Sequence, residues 1–385
     1  MGEQTRQARR RSGWRRRTGL AAVAAVTVGA LAVGALAPAA VAAPARPDSV
    51  QQGLDALVHR DGLPAALATV KGRDGRVRSY TAGVGDLATG AAVPRDGQVR
   101  VGSNTKTFTA VLVLQLVAEH KVRLDAPVEE YLPGLVRGKR IDGRRITVRQ
   151  LLQHTSGLPN YTEYDLQPRY YEPRELVDIA LAHEGHFRPG TKWEYSNTNY
   201  VLAGLIVQKV TGRPYAREVE DRIIRPLGLR HTYFPAPGDT GIREPHPHGY
   251  HQESAAGPRQ DVTELDPSWG WAAGQLVSTG SDLNRFFAAL LGGRLLAPPQ
   301  LAQMRTTVPA EQVFGPRARY GLGIVSRPLS CGGVYWGHGG SIPGYETRGG
   351  VTADGRAVTV AVTEQPPTEG PMKRTDRLVD TALCR

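Results

Sequence analysis

Apolar positions along the chain fall into three regimes. From Thr18 to Ala45 no charged residue occurs, and Ala, Val, Leu and Gly dominate. The chain then becomes punctuated. Residues 51–59 space apolar side chains along one helical face, residues 64–70 form a short apolar run, and Asp74-Gly75 separates that run from another over 77–82. This predicts a helix followed by an antiparallel hairpin. Residues 105–120 carry Phe108, Val111, Leu112, Leu114, Leu116 and Val117, the pattern of a largely buried helix. Helical segments broken by Pro and Gly come next over 148–152, 172–181, 200–210 and 215–224. Another is expected over 276–291, with Ser281-Asp282 capping its second part. Short strands are expected over 320–325, 334–337, 344–351 and 357–362, and a closing helix over 373–383. The expected fold is therefore α/β of the α+β kind. An antiparallel sheet comes from both chain ends (about 44–102 and 270–385), is flanked by helices, and takes a mainly helical insertion over about 103–269. No internal repeat is visible.

Composition narrows this picture. Hydrophobic residues make up 40% and charged residues 22% of the 385, so general disorder is excluded. Gly 45 and Pro 28 occur without a Gly-X-Y period, which means many turns rather than collagen. Aromatics at 6% are too few for stacking along a nucleic-acid strand. The net charge of +12 is uneven, because residues 1–43 hold seven arginines and one glutamate, half of the excess. Arg9, Arg10, Arg11, Arg15, Arg16 and Arg17 precede the uncharged stretch, which ends in Ala40-Val41-Ala42. That is the pattern of a secretory signal peptide over 1–43, cleaved near Ala42-Ala43 to leave 44–385. Arg16-Arg17 also permits a twin-arginine route, and a retained single-span anchor is the competing reading, disfavoured by the Ala/Gly-rich stretch and Pro38. The expected product is a secreted protein without a stable membrane anchor. Its two cysteines, Cys331 and Cys384, then suggest one disulfide rather than a cysteine nucleophile.

Three short segments could carry chemistry. In Ser103-Asn104-Thr105-Lys106 a serine at a helix start has a lysine one turn along on the same face. A lysine kept neutral by burial could take the serine proton, with helix-start N–H groups nearby for an oxyanion. The bland reading is an N-cap serine beside an exposed lysine. In Tyr195-Ser196-Asn197 the tyrosine could act as a base if cations lower its pKa, and the asparagine could hold an amide; the bland reading is a capping turn. In His338-Gly339-Gly340-Ser341 the glycines would let a substrate backbone approach a strand edge, against an ordinary glycine bend. Each segment alone is weak, whereas the three in one chain are informative.

Together they resemble the three motifs of the penicillin-recognising serine hydrolases, which have a β-lactamase/transpeptidase-like fold. The tyrosine motif is similar to that of the branch holding D-alanyl-D-alanine carboxypeptidases and class C β-lactamases. Leu151-Leu152-Gln153-His154-Thr155-Ser156-Gly157-Leu158, Pro226-Leu227-Gly228-Leu229, Trp269-Gly270-Trp271-Ala272-Ala273-Gly274 and Tyr320-Gly321-Leu322-Gly323 agree, and the resemblance covers about residues 50–385. A histidine where the third motif usually has lysine, with Cys331 and Cys384 near the end, is similar to soluble secreted D-alanyl-D-alanine carboxypeptidases.

The resemblance implies roles. Ser103 would be the nucleophile, Lys106 its assistant, Tyr195 the proton shuttle to the leaving amine, Asn197 the amide-holding residue and His338 the completion of the proton network. The backbone N–H groups of Ser103 and Ser341 would form the oxyanion hole, and Gly339, Gly340, Trp269 and Arg327 would border the substrate. The chain also departs from the pattern. Gly339 replaces a hydroxyl residue and Val325 an arginine that together hold a substrate carboxylate, and Arg327 lies two residues away on the same strand face. β-Lactamase, esterase and amidase activities therefore stay open beside carboxypeptidase. A histidine at 338 would titrate near pH ~6.5 unless shifted.

Other classes fit less well. His246, His248 and His251 sit in a Pro-rich loop, but Tyr250 stands where a metal-dependent lactamase has aspartate. No Gly-x-Ser-x-Gly elbow occurs. A non-catalytic module that only binds peptide or penicillin would not need the proton-handling residues. The reading implies no cofactor, no metal and no nucleic acid. It implies a monomer that takes a small peptide or β-lactam, with cell-wall peptidoglycan as one candidate partner.

Overall fold

The computed structural model describes residue 22 and residues 48–254, 257–365 and 369–385. The signal-peptide expectation falls on residues 1–43 and so lies outside the described residues, Ala22 apart.

The first helix, α1 (Ser49–His59), begins where the Asp48 carboxylate accepts the Val50 N–H at 2.9 Å. Val50, Leu54 and Leu57 then line one buried stripe. They pack with Leu378, Val379 and Leu383 of the last helix, designated α5 (Glu369–Cys384). Three of the helices between them in the chain hold the site or cover the sheet: α2 (Thr105–Ala118), α3 (Thr198–Thr211) and α4 (Gly280–Leu291).

Ten strands form the main sheet, all pairing antiparallel. They are β1 (Ala65–Lys71), β2 (Val77–Asp86), β3 (Ala91–Ala92), β4 (Val308–Pro309), β5 (Arg319–Tyr320), β6 (Val325–Pro328), β7 (Val334–Gly337), β8 (Gly340–Ile342), β9 (Tyr345–Thr352) and β10 (Ala357–Val362). Their spatial order is β4-β5-β6-β7-β9-β10-β1-β2-β3, with β8 paired to β9. The first and last strands in sequence are thus neighbours, with Ala66 opposite Val362 and Lys71 opposite Ala357. This is the expected sheet built from both chain ends.

Residues 65–70 are buried without alternation because both faces of the sheet centre are covered. Ala66, Ala68 and Val70 face α1 and α5. On the other face Asn284 of α4 donates to the Thr69 carbonyl at 2.8 Å and accepts the Thr359 hydroxyl at 3.0 Å. Helix α2 runs through the middle, buried on nearly every side, and Phe108 stacks on Phe286 of α4 with centroids 3.7 Å apart.

Two expectations need correction. The segment 276–291 is not one helix: Val277–Ser278 pairs antiparallel with Val99–Arg100, and α4 starts only at Gly280. Its cap is Thr279, whose hydroxyl accepts the Asp282 N–H, rather than Ser281-Asp282. The segment 320–325 is not one strand but the end of β5, a turn and the start of β6. Gly321 N–H reaches the Ile324 carbonyl at 2.7 Å, and Tyr320 pairs with Val325. Gly323 supplies the turn at φ +72°, and a Cβ there would sit 2.5 Å from that of Ala110.

The disulfide expectation holds. Cys331 and Cys384 are bonded, with Cα atoms 5.7 Å apart, tying the β6–β7 turn to the end of α5.

Candidate active site

Ser103 lies in a single 3-10 turn (Gly102–Asn104) that runs directly into α2. One turn on, Lys106 is fully buried, and its Nζ lies 2.9 Å from Ser103 Oγ. The same nitrogen lies 2.6 Å from Asn197 Oδ1 and 2.8 Å from the Ala273 carbonyl. Those two oxygens can only accept. A neutral amine, with two N–H groups and one lone pair, therefore satisfies both and receives the Ser103 proton. Burial favours that form, pushing the Lys106 pKa well below its ordinary value.

Asn197 opens α3 and lies 91 residues from Lys106 in sequence. Its Nδ2 donates to Asn160 Oδ1 at 3.2 Å and to Thr162 Oγ1 at 3.1 Å, which fixes Oδ1 toward the lysine. Its amide is thus committed to positioning Lys106, although it also borders the cleft.

Tyr195 is half-buried, hydrogen-bonded to Ser103, with Lys106 Nζ 4.9 Å from its ring centroid. Burial raises its pKa above the usual tyrosine value, and the Ser103 bond and the Arg348 charge offset only part of this. The idea that neighbouring cations lower it is corrected: desolvation of the phenolate wins. The resting tyrosine keeps its proton, so of the two side chains Lys106 is the one placed to accept a proton from Ser103.

His338 falls between β7 and β8, 3% exposed. Its Nδ1–H donates to the Gly339 carbonyl at 2.5 Å, and its Nε2 accepts from the Tyr320 hydroxyl at 3.1 Å. Burial pushes its pKa down to about 3. A titration near pH 6.5 is thereby corrected, and the ring is neutral at working pH.

The glycines of the third motif serve a closer approach than expected. An added Cβ on Gly340 would lie 1.9 Å from the Val101 carbonyl oxygen, and one on Gly102 would lie 2.8 Å from the Ser341 nitrogen. Only bare backbone lets β8 lie against the turn that carries Ser103. The N–H groups of Ser103 and Ser341 are thereby brought to one side of the cleft.

Two cavities meet at Ser103. One, of about 310 Å³, carries Tyr195, His338, Gly339, Arg327, Arg348 and Asp376 in its wall. The other, of about 680 Å³, is bordered by Asn197, Trp269, Leu265, Leu166, Glu264 and Gln365. Every residue expected at the site is thus brought to one or both cavities or to Lys106. The three loop histidines are elsewhere: His248 bonds Asp261 at 2.6 Å and His246 the Glu244 carbonyl at 2.7 Å. Among the described residues no group of three side chains is placed to hold a metal ion.

Some residues at the site escape sequence reasoning. His154 is fully buried, with its ring centroid 4.4 Å from that of Tyr195 and 4.9 Å from that of Tyr320. Its Nδ1 accepts from the Ser196 N–H at 3.2 Å and from Asn199 Nδ2 at 3.1 Å. Burial holds it neutral. Its presence in Leu151–Leu158 is visible, but no interval in that segment ties it to Tyr195. Arg348, Glu346 and Asp376 have no sequence signal.

Comparison with known proteins agrees with this arrangement. A family profile described as Beta-lactamase matches residues 50–383. A penicillin-binding protein of Bacillus subtilis, PbpX, is 29% identical over 262 residues, 68% of this chain and 60% of its own length. Protein flp of Staphylococcus aureus is 30% identical over 193 residues, 48% of this chain and 38% of its own length, so the chain spans less than two thirds of these curated relatives. Among solved structures, a D-stereospecific amidohydrolase from Streptomyces sp. shares 42% identity at TM-score 0.78, covering 86% of this chain and 97% of that one. The D-amino acid amidase of Ochrobactrum anthropi SV3 shares 28% identity at TM-score 0.75, with 86% and 98% covered. With the three motifs around one serine and the profile matched over nearly the whole described chain, the protein belongs to the beta-lactamase family of penicillin-recognising serine hydrolases.

Proposed function

We propose that this chain is a serine amidohydrolase that works through an acyl-enzyme on Ser103 and takes donors with a D-configured acyl residue. The observation carrying this reading is the 2.9 Å approach of a fully buried Lys106 Nζ to Ser103 Oγ. Ser103 Oγ attacks the carbonyl carbon while its proton passes to neutral Lys106. The carbonyl oxygen becomes an oxyanion held by the Ser103 and Ser341 N–H groups. As the C–N bond breaks, protonated Tyr195 gives its proton to the leaving nitrogen and is reprotonated by the proton held on Lys106. Water then attacks the ester, losing its proton to the same network and releasing the acid and Ser103. β-Lactams would acylate the same serine. The D preference rests on the amidohydrolase and amidase likenesses.

D-alanyl-D-alanine carboxypeptidase activity is the second reading, favoured by Arg327 in the same cavity as Ser103. Peptidoglycan stems would then be the source of substrate. The disulfide supports export, with the chain acting outside the cell.

The test incubates the mature protein separately with penicillin, a D-Ala-D-Ala peptide and a D-amino acid amide, following adduct mass and products over time. An adduct on Ser103, absent in Ser103→Ala, with amide turnover, is expected. Labelling that persists in the alanine variant would refute the nucleophile, and adducts without any turnover would leave a binding module.

A further inference from the structure

The Tyr195-side cavity ends in four charged groups that the reaction above does not use. Arg327 donates through Nη1 to Asp376 Oδ1 at 2.5 Å, and Arg348 Nε stands 3.7 Å from the same oxygen. Arg348 also donates through Nη1 to Glu346, which is 4% exposed. Among the described residues in this wall, two guanidiniums therefore face two carboxylates, and each cation already has its anion. Asp376 comes from α5, outside all three motifs.

Gly339 belongs to the same arrangement. A Cβ there would lie 2.9 Å from Arg348 Nη1 and 2.9 Å from the Thr347 carbonyl oxygen. The missing side chain is what gives the Arg348 guanidinium its place. The position where a hydroxyl would help hold a substrate carboxylate is instead the floor under an arginine that faces Asp376.

We propose that Asp376 is a built-in carboxylate that selects against anionic leaving groups, steering this hydrolase toward neutral amides and esters. The inference deepens the amidohydrolase reading and rests on it. A leaving group ending in a carboxylate must either displace Asp376 from Arg327 or stand beside its charge. In a half-buried cavity that repulsion is screened less than in open water. A carboxamide or ester at the same place carries no charge and escapes the penalty.

The experiment uses two acyl donors that differ only at the terminus: an N-acyl-D-Ala-D-Ala with a free carboxylate and its C-terminal carboxamide. The readout is the ratio of their kcat/KM values, carboxylate over carboxamide. Asp376→Asn should raise that ratio about tenfold, mainly through KM of the carboxylate substrate. Arg327→Gln leaves Asp376 charged and without its arginine, so it should lower the ratio, and it decides alone if the asparagine variant does not fold. A ratio unmoved within about twofold, or both substrates changing in parallel, would overturn the role of Asp376. The mass of the Ser103 adduct separates the two levels. Acylation by the carboxamide with an unmoved ratio overturns only this inference, whereas no acylation by either substrate takes the amidohydrolase reading down with it.

Discussion

Gly340 passes so near Val101 that a Cβ on the glycine would lie 1.9 Å from the valine carbonyl oxygen and 2.9 Å from the Ser103 nitrogen. This approach seats β8 against the turn that carries Ser103 and sets the spacing of the Ser103 and Ser341 N–H groups, the proposed oxyanion donors. Gly340→Ala must push them apart, because the clash is with backbone and not with a side chain that can turn aside. Acylation by penicillin should fall by about 10²–10³, the scale of losing one oxyanion donor. A wild-type acylation rate in a folded Gly340→Ala chain would contradict the assignment.

Lys106 and Tyr195 share Ser103 as partner, so their losses should not add. Lys106→Ala and Tyr195→Phe should each slow acylation by orders of magnitude, and the double variant should be little slower than either. Because burial lowers the Lys106 pKa, a neutral Lys106 acting as the base makes the rate fall on the acid side as it gains a proton. Lys106→Arg, always charged, should be inactive across the range. Additive losses in single-turnover measurements would argue against one network.

His338 should leave its mark on stability rather than on the neutral-pH rate. Its pKa is about 3 in the folded chain against the ordinary 6.5. The unfolded chain therefore binds the extra proton between those values. Its contribution is fully present above about pH 6.5 and is lost progressively as pH falls toward about 3. Urea unfolding at several pH values should show this slope reduced in His338→Gln. A rate limb near pH 6.5 that vanishes in that variant would show instead that His338 titrates as an exposed ring.

His154 fills the space behind Tyr195 and takes two donors on Nδ1. His154→Ala leaves a cavity and an unpaired Ser196 N–H, costing about 3 kcal/mol in urea unfolding. If it also positions Tyr195, kcat should fall more than KM rises. A stability loss with unchanged kcat would make it a packing residue only.

Reducing the Cys331–Cys384 bond reopens a loop with a sequence separation of 53. The chain-entropy treatment puts the loss at roughly 4 kcal/mol. Thermal unfolding with and without reductant measures it. Two free thiols titrated in the unfolded, unreduced protein would refute the bridge.

Local pattern was enough for much of this molecule. The 3.6-residue spacing in α1 placed its buried face, the apolar run of α2 marked it as buried, and Ser103 and Lys106 were on one side of a helix by their interval alone. The same reasoning failed over 276–291, where apolar spacing continued through Val277 although pairing with Val99–Arg100 claims that residue for a strand. It failed over 320–325 because a left-handed glycine, not an interruption in hydrophobicity, divides the segment.

What the sequence by itself determined is which residues stand one helical turn or one strand step apart, because backbone geometry converts such intervals into shared faces. The helix-start serine and lysine and the glycine pair beside Ser341 are of this kind. Tertiary structure alone decided the charge states and the partners. Lys106, Tyr195 and His338 lose water only when α2, α3 and the sheet close over them, and desolvation then favours the neutral form of each. Arg327 meets Asp376 across 49 residues because α5 packs back on the sheet. Burial and charge pairing depend on segments far apart in the chain, so no interval in the sequence carries them.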